Sequence, residues 1–260
     1  MHRLTYLNDN LRSGKLIRWP QQCFPLSVYI APCSWYSMTD ADKYSYMSMV
    51  KEALRIWESI ANGKVSFNLV NNLNDSQINI EWRRVDRKSL GSCSFNFDTE
   101  SRLYSAEVSI GISDGIIHKK YMDENEVFHT ILHEIGHALG LGHSSNKEDI
   151  MYTPHQYGVV RLTQRDINSI NWLYELPYGT SVKSLNEAYS LNCNNLDDII
   201  MILEKGHVES KFEQTLKSTQ IPSRNLEEEQ AKLAEIRKFQ MSIQNIRLPK
   251  EITDKFKDIK

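Results

Sequence analysis

Apolar residues recur along the first 175 positions in two periods, and the order in which those periods appear predicts the elements. Leu26-Ser-Val-Tyr-Ile30 after Pro25 reads as a strand. From Asp40 the spacing shifts to three and four, with Met47, Val50, Leu54, Trp57 and Ala61 on one side of a helix that Asn62-Gly63 stops. Strict alternation returns at Val65/Phe67/Leu69 and again at Ile78/Ile80/Trp82, each the pattern of a half-buried strand. Gly91 to Phe97 is a weaker strand and Ala106/Val108/Ile110/Ile112 a stronger one. A helix follows from about Glu124 to Leu139, and another from Thr163, a suitable N-cap, to Tyr174. Strand, helix, four strands and two helices predict an α+β fold, with helices packed on a mixed sheet.

Beyond residue 176 the character changes. All five tryptophans and 20 of the 25 aromatic residues precede that point, whereas the last 85 residues carry 13 basic and 13 acidic side chains. Leu176-Pro-Tyr-Gly179 is therefore expected to separate a globular domain at 25–176 from a helical C-terminal region at 177–260, with 1–24 as an N-terminal extension. Leu196 to Leu203 reads as a helix ended by Gly206, and Asn225 to Arg247 as a second with an apolar stripe. These helices are expected to pack on the globular domain or self-associate, or alternatively to dock a partner.

Composition narrows the partners. A net charge of −2, from 31 basic and 33 acidic residues, gives no electrostatic reason to bind nucleic acid. No apolar run reaches the roughly 20 residues of a membrane span, and the first residues lack the apolar core of a secretion signal. Cys23, Cys33, Cys93 and Cys193 have no metal-type spacing and are expected to be reduced thiols.

Histidine is informative once mapped, because four of the eight (His129, His133, His137 and His143) fall within 15 residues. His133 and His137, four apart on the helix, project from one face and can share one ion. Glu134 points about 100° round the helix, the offset for reaching a water at the metal and not the metal itself. Gly140 permits a sharp turn that returns His143 as a third ligand. Three imidazoles with an open fourth position describe a catalytic zinc site, whereas a structural site would be closed by a fourth protein ligand.

The run His133-Glu-x-x-His137-x-x-Gly140-x-x-His143, followed by Met151 in Asp149-Ile-Met-Tyr152, resembles the metzincin zinc-peptidase signature. Ser144 after the third histidine, Leu162 to Tyr174 with Asp166, and Ile78 to Trp82 are similar to the matrixin branch, the matrix metalloproteinase family, over about Pro25 to Glu175. The resemblance implies a twisted, mixed five-stranded sheet with three helices, a secreted protein, one catalytic Zn2+ on His133, His137 and His143, Glu134 as general base, and Met151 beneath the imidazoles. It also implies an extended peptide substrate on an edge strand, Gly91, Ser92, Cys93, Ser94 and Phe95. His129 would set the depth of the specificity pocket, with Pro154 and Tyr157 as its outer wall. An imidazole there makes the pocket shallower or more polar than leucine would. The family's structural zinc and calcium are not expected, since Arg83 to Asp98 is short and lacks their ligands, and no cysteine-switch sequence precedes the domain. The ligand set leaves two alternatives to an endopeptidase: a zinc hydrolase of small peptides or other amides, and a metal-stabilised binding module.

Overall fold

In a computed structural model of the chain, residues 4–33, 40–113 and 119–205 are described. Strands β1 (Leu26–Ile30), β2 (Phe67–Val70), β3 (Ile78–Arg84), β4 (Gly91–Phe97) and β5 (Leu103–Ile112) form one sheet in the order β2-β1-β3-β5-β4. Every neighbouring pair is parallel except β4 and β5. Parallel neighbours need a long crossover, and helix α1 (Asp40–Ile60) supplies it between β1 and β2. Its stop falls where expected, with Asn62 and Gly63 both at positive φ. Helices α2 (Glu124–Ala138) and α3 (Gln164–Glu175) complete the expected α+β, mixed five-stranded architecture.

The two alternating runs meet different surroundings. β2 begins at Phe67, not Val65, and as an edge strand leaves Leu69 45% exposed. β3 is half-buried as expected, and it sits between β1 and β5 with both edges paired. Ile78 and Ile80 are fully buried on one face, and on the other Asn79 donates to Glu107 at 2.7 Å while Ser109 donates to Glu81 at 2.6 Å. These are directly opposed cross-strand pairs, so the polar positions of a central strand are satisfied laterally.

The core does not end at residue 176. Ile78, Ile80, Val108 and Ile110 of the sheet, Val50, Leu54 and Trp57 of α1, and Ile131, Leu132 and Ile135 of α2 belong to the same apolar cluster as Tyr6, Leu7, Leu16 and Trp19. Two further helices join it, α4 (Val182–Tyr189) through Leu185, and α5 (Leu196–Glu204) through Leu196, Ile199 and Ile200. The N-terminal segment ties them in. Leu16 exchanges backbone bonds of 2.8 Å with Thr180 and Gly179, the Leu196 amide donates to Asn8 at 2.9 Å, and Thr5 bonds Asp197. The composition change at 176–177 thus marks fewer aromatic residues, while apolar packing runs on to Ile200. Gly206 and the helix expected over Asn225 to Arg247 lie outside the described residues. All four cysteines are free thiols, and among the described residues no helix is long and apolar enough to cross a membrane.

Candidate active site

Helix α2 carries the site, and its ends explain how. Asp123 caps the N-terminus by accepting from the Asn125 amide at 2.8 Å. At the other end Leu141 N–H returns to Gly136 O at 3.0 Å and Gly140 N–H to His137 O at 2.9 Å, with Gly140 at φ +99°, the paired bonds of a Schellman turn. A side chain at Gly140 would also meet the Ile17 carbonyl at 2.6 Å. Carbonyls near this end are claimed from outside the helix: Trp57 Nε1 donates to Leu132 O at 3.0 Å, Trp19 Nε1 to Ala138 O at 2.8 Å and Tyr174 to Leu139 O at 2.9 Å. The helix end is therefore held rigidly, as a preorganised ligand set requires.

The turn brings His143 to the two helical histidines. Nε2 of His137 lies 3.1 Å from Nε2 of both His133 and His143, and the three donor nitrogens lie within 4.8 Å of one another. Tetrahedral zinc with bonds of about 2.0–2.1 Å would hold its nitrogens about 3.3 Å apart, so the cluster fits such an ion. Ring orientation is set from behind: His133 Nδ1 donates to Ile150 O and His137 Nδ1 to Leu141 O, both at 2.7 Å, which leaves each Nε2 with its lone pair toward the others. Burial lowers the pKa of both helical imidazoles, His137 to about 4, and so favours the neutral form that binds metal.

The loop carrying Ile150 is itself fixed. Ser144 N–H donates to Met151 O at 2.9 Å, and the fully buried Asp149 accepts from Ser144 and from Thr163 Oγ1. Asp166 closes a capping box on α3 with Thr163, accepts the Ile150 amide at 3.0 Å, and takes the Tyr6 hydroxyl at 3.0 Å. Met151 is fully buried, with its thioether against Gly136 of α2. A continuous chain thus runs from Tyr6 through Asp166 and Ile150 to His133.

Glu134 is 6% exposed, and loss of water pushes its pKa up to about 8, with Arg83 acting in the opposite direction. The start of β4 closes over it: a Cβ on Gly91 would lie 2.7 Å from the Glu134 carboxylate and 2.6 Å from Thr130. Arg83 shapes this rim by donating to Asp86 at 2.9 Å and Ser89 at 2.7 Å. Arg83 also faces Glu134 electrostatically.

One cleft of about 630 Å³ gathers most of the predicted residues: the three histidines, Glu134, His129, Pro154, Tyr157, and Gly91, Ser92 and Cys93 of β4. Ser94 and Phe95 do not line it, and Phe95 instead lies under the Arg12 guanidinium at 4.8 Å. Cys93 is a half-buried thiol whose pKa is raised by loss of water and then by Glu134. Sequence reasoning missed His155, Thr130 and Glu126. Glu126 and Thr130 precede His133 by seven and three residues on α2, so helical spacing alone put them on or beside its face. Asn10 was also missed. In the amide orientation its neighbours require, it accepts from Gly142 N–H at 3.1 Å and donates to His143 O at 3.3 Å.

A parallel-rich sheet, a histidine-bearing helix that ends in a glycine turn, three converging imidazoles and a methionine buried against that helix define the metzincin class of zinc metallopeptidase fold. Within that class, the matrixin family model matches residues 33–175, more than half of the chain, and the protein belongs to the matrixin family. It is 26% identical over 208 residues to a probable matrix metalloproteinase of Invertebrate iridescent virus 3, covering 73% of this chain and 53% of that one. It is also 28% identical over 153 residues to interstitial collagenase B of Mus musculus (54% and 32%), and 41% identical over 61 residues to macrophage metalloelastase of Rattus norvegicus (22% and 13%). The chain spans about half the length, or less, of these relatives. Matrixins as a family are zinc-dependent endopeptidases.

Proposed function

We propose that the protein is a zinc endopeptidase that cleaves extended polypeptide, with its catalytic domain at 25–176 and with 4–24 and 177–205 as the scaffold behind it. The observation that carries this reading is the convergence of three imidazole Nε2 atoms, two of them on rings oriented by backbone carbonyls, beside a buried carboxylate and next to an edge strand of the sheet. His133, His137 and His143 would hold the ion. Zinc bound there supplies Lewis-acid chemistry, polarising a scissile carbonyl and acidifying water toward neutrality.

The chain's own groups do the rest. Glu134 accepts the proton of the attacking water and delivers it to the leaving amine, two tasks for which its burial-raised pKa suits it. β4 ends the sheet, and its outer edge offers main-chain groups to an extended peptide, which favours a polypeptide over a small amide. His129, Pro154 and Tyr157 form the pocket for the residue after the scissile bond, and Met151 the apolar support under the ligands. The connection from Arg84 to Gly91 is closed by Asp86, Ser89 and Arg83, so no second ion is proposed there. Secretion is proposed on family membership alone.

Metal analysis combined with cleavage of an unfolded protein tests the reading. One zinc per chain is expected, with activity lost on chelation and restored by zinc. A metal-free protein that cleaves equally well would overturn it.

A further inference from the structure

The floor of the pocket beside the three histidines is polar. His129 is 2% exposed, and its Nδ1 lies 2.5 Å from Val159 O. A carbonyl only accepts, so the proton is on Nδ1, and burial holds the ring neutral, leaving Nε2 as an acceptor. His155 meets it edge to face at 4.2 Å, with its own Nε2 2.7 Å from Glu126 Oε2. The carboxylate also only accepts, so His155 spends its Nε2–H there. The second Glu126 oxygen takes Gly158 N–H at 2.9 Å, and Glu126 is 7% exposed. Tyr157 and Tyr121 pack on His155 from two sides, at 5.0 and 6.1 Å. His129, His155 and Tyr157 all line the cleft.

The Nδ1–H of His129 and the Nε2–H of His155 are thus consumed inside the protein, and what His129 leaves at the floor is acceptor capacity, with a buried carboxylate behind the neighbouring ring. A branched aliphatic side chain entering this floor would strip water from those acceptors and return no hydrogen bond, whereas an amide, hydroxyl or ammonium group would replace the water it displaces. We infer that Glu126, His155 and His129 form a specificity-determining group that selects a hydrogen-bond donor on the residue following the scissile bond. This rests on the endopeptidase reading above. His129 and His155 act at the pocket surface, and Glu126 is a positioning residue acting through His155.

The test uses the zinc-loaded full chain and peptides that differ only in the residue after the scissile bond: Gln, Lys, Ser, Leu or Phe. Gln or Lys is expected to exceed Leu by about tenfold or more in kcat/KM, since a site that hydrogen-bonds its substrate discriminates strongly against an analogue lacking the donor. His129→Leu should invert that order, and Glu126→Gln, which keeps size and an acceptor for Gly158, should narrow it. The same order is expected for Kd of the peptides with the Glu134→Ala protein, where turnover plays no part. A wild-type preference for Leu that His129→Leu leaves unchanged would overturn the inference while leaving the endopeptidase reading intact. Absence of Glu134-dependent cleavage of every peptide would overturn that reading and this inference with it.

Discussion

His133 and His129 lie one turn apart on α2, and each places Nδ1 on a backbone carbonyl contributed by the loop that follows the third histidine, Ile150 for one and Val159 for the other. Residue type, helix, face and orienting bond are the same. What differs is the far side of the ring: His133 meets two further imidazoles at a half-exposed opening, whereas His129 is buried against His155, which is bonded to Glu126. A helical histidine is therefore made a candidate ligand or a candidate pocket wall by what converges on its second nitrogen. The backbone bond only makes that nitrogen available.

Substitution at the two positions should separate the roles widely. His133→Ala is expected to weaken zinc binding by more than about 100-fold, beyond what loss of an orienting partner costs, while His129→Leu changes it by less than about threefold. Chelator competition measures both, and equal losses would break the distinction. Acid should act on the two together. Burial holds both His129 and His137 at about 4, against an ordinary value of 6.5. Between those values the unfolded chain binds more protons than the folded one, so stability of the metal-free protein is fully present above about pH 6.5 and is lost as pH falls toward about 4. Urea midpoints across that range should decline, and His129→Leu should make the decline shallower. A smaller effect is expected at a distance. Tyr6→Phe removes the hydroxyl bonded to Asp166, which carries the Ile150 amide, and should lower zinc affinity by about tenfold without unfolding the chain. Unchanged affinity would mean that the link from the N-terminal segment does not reach His133.

The ligand half of this comparison was legible in the sequence, because helical spacing and one glycine turn place His133, His137 and His143 by local geometry. Sheet composition was legible too, since period-two runs give strands, although strand order and the burial of Asn79 are settled only by neighbours distant in sequence. The pocket half was half-legible. His129 has the right offset, but its partner His155 comes from a loop 26 residues away, where no period operates. α4 escaped notice because its signals are only Ser181 and Ser184 in a capping box around eight residues. The role of residues 4–24 was hidden for a similar reason: Tyr6, Asn10 and Trp19 act singly, each on a different element.

The central claim is that Glu134 provides the base for hydrolysis at a zinc held by the three histidines. Its most direct test compares zinc content and peptide cleavage in wild type and Glu134→Ala. The account predicts one zinc in both and a fall in turnover of about 10²–10⁴-fold in the variant; a zinc-loaded Glu134→Ala protein that cleaves as fast as wild type would contradict it.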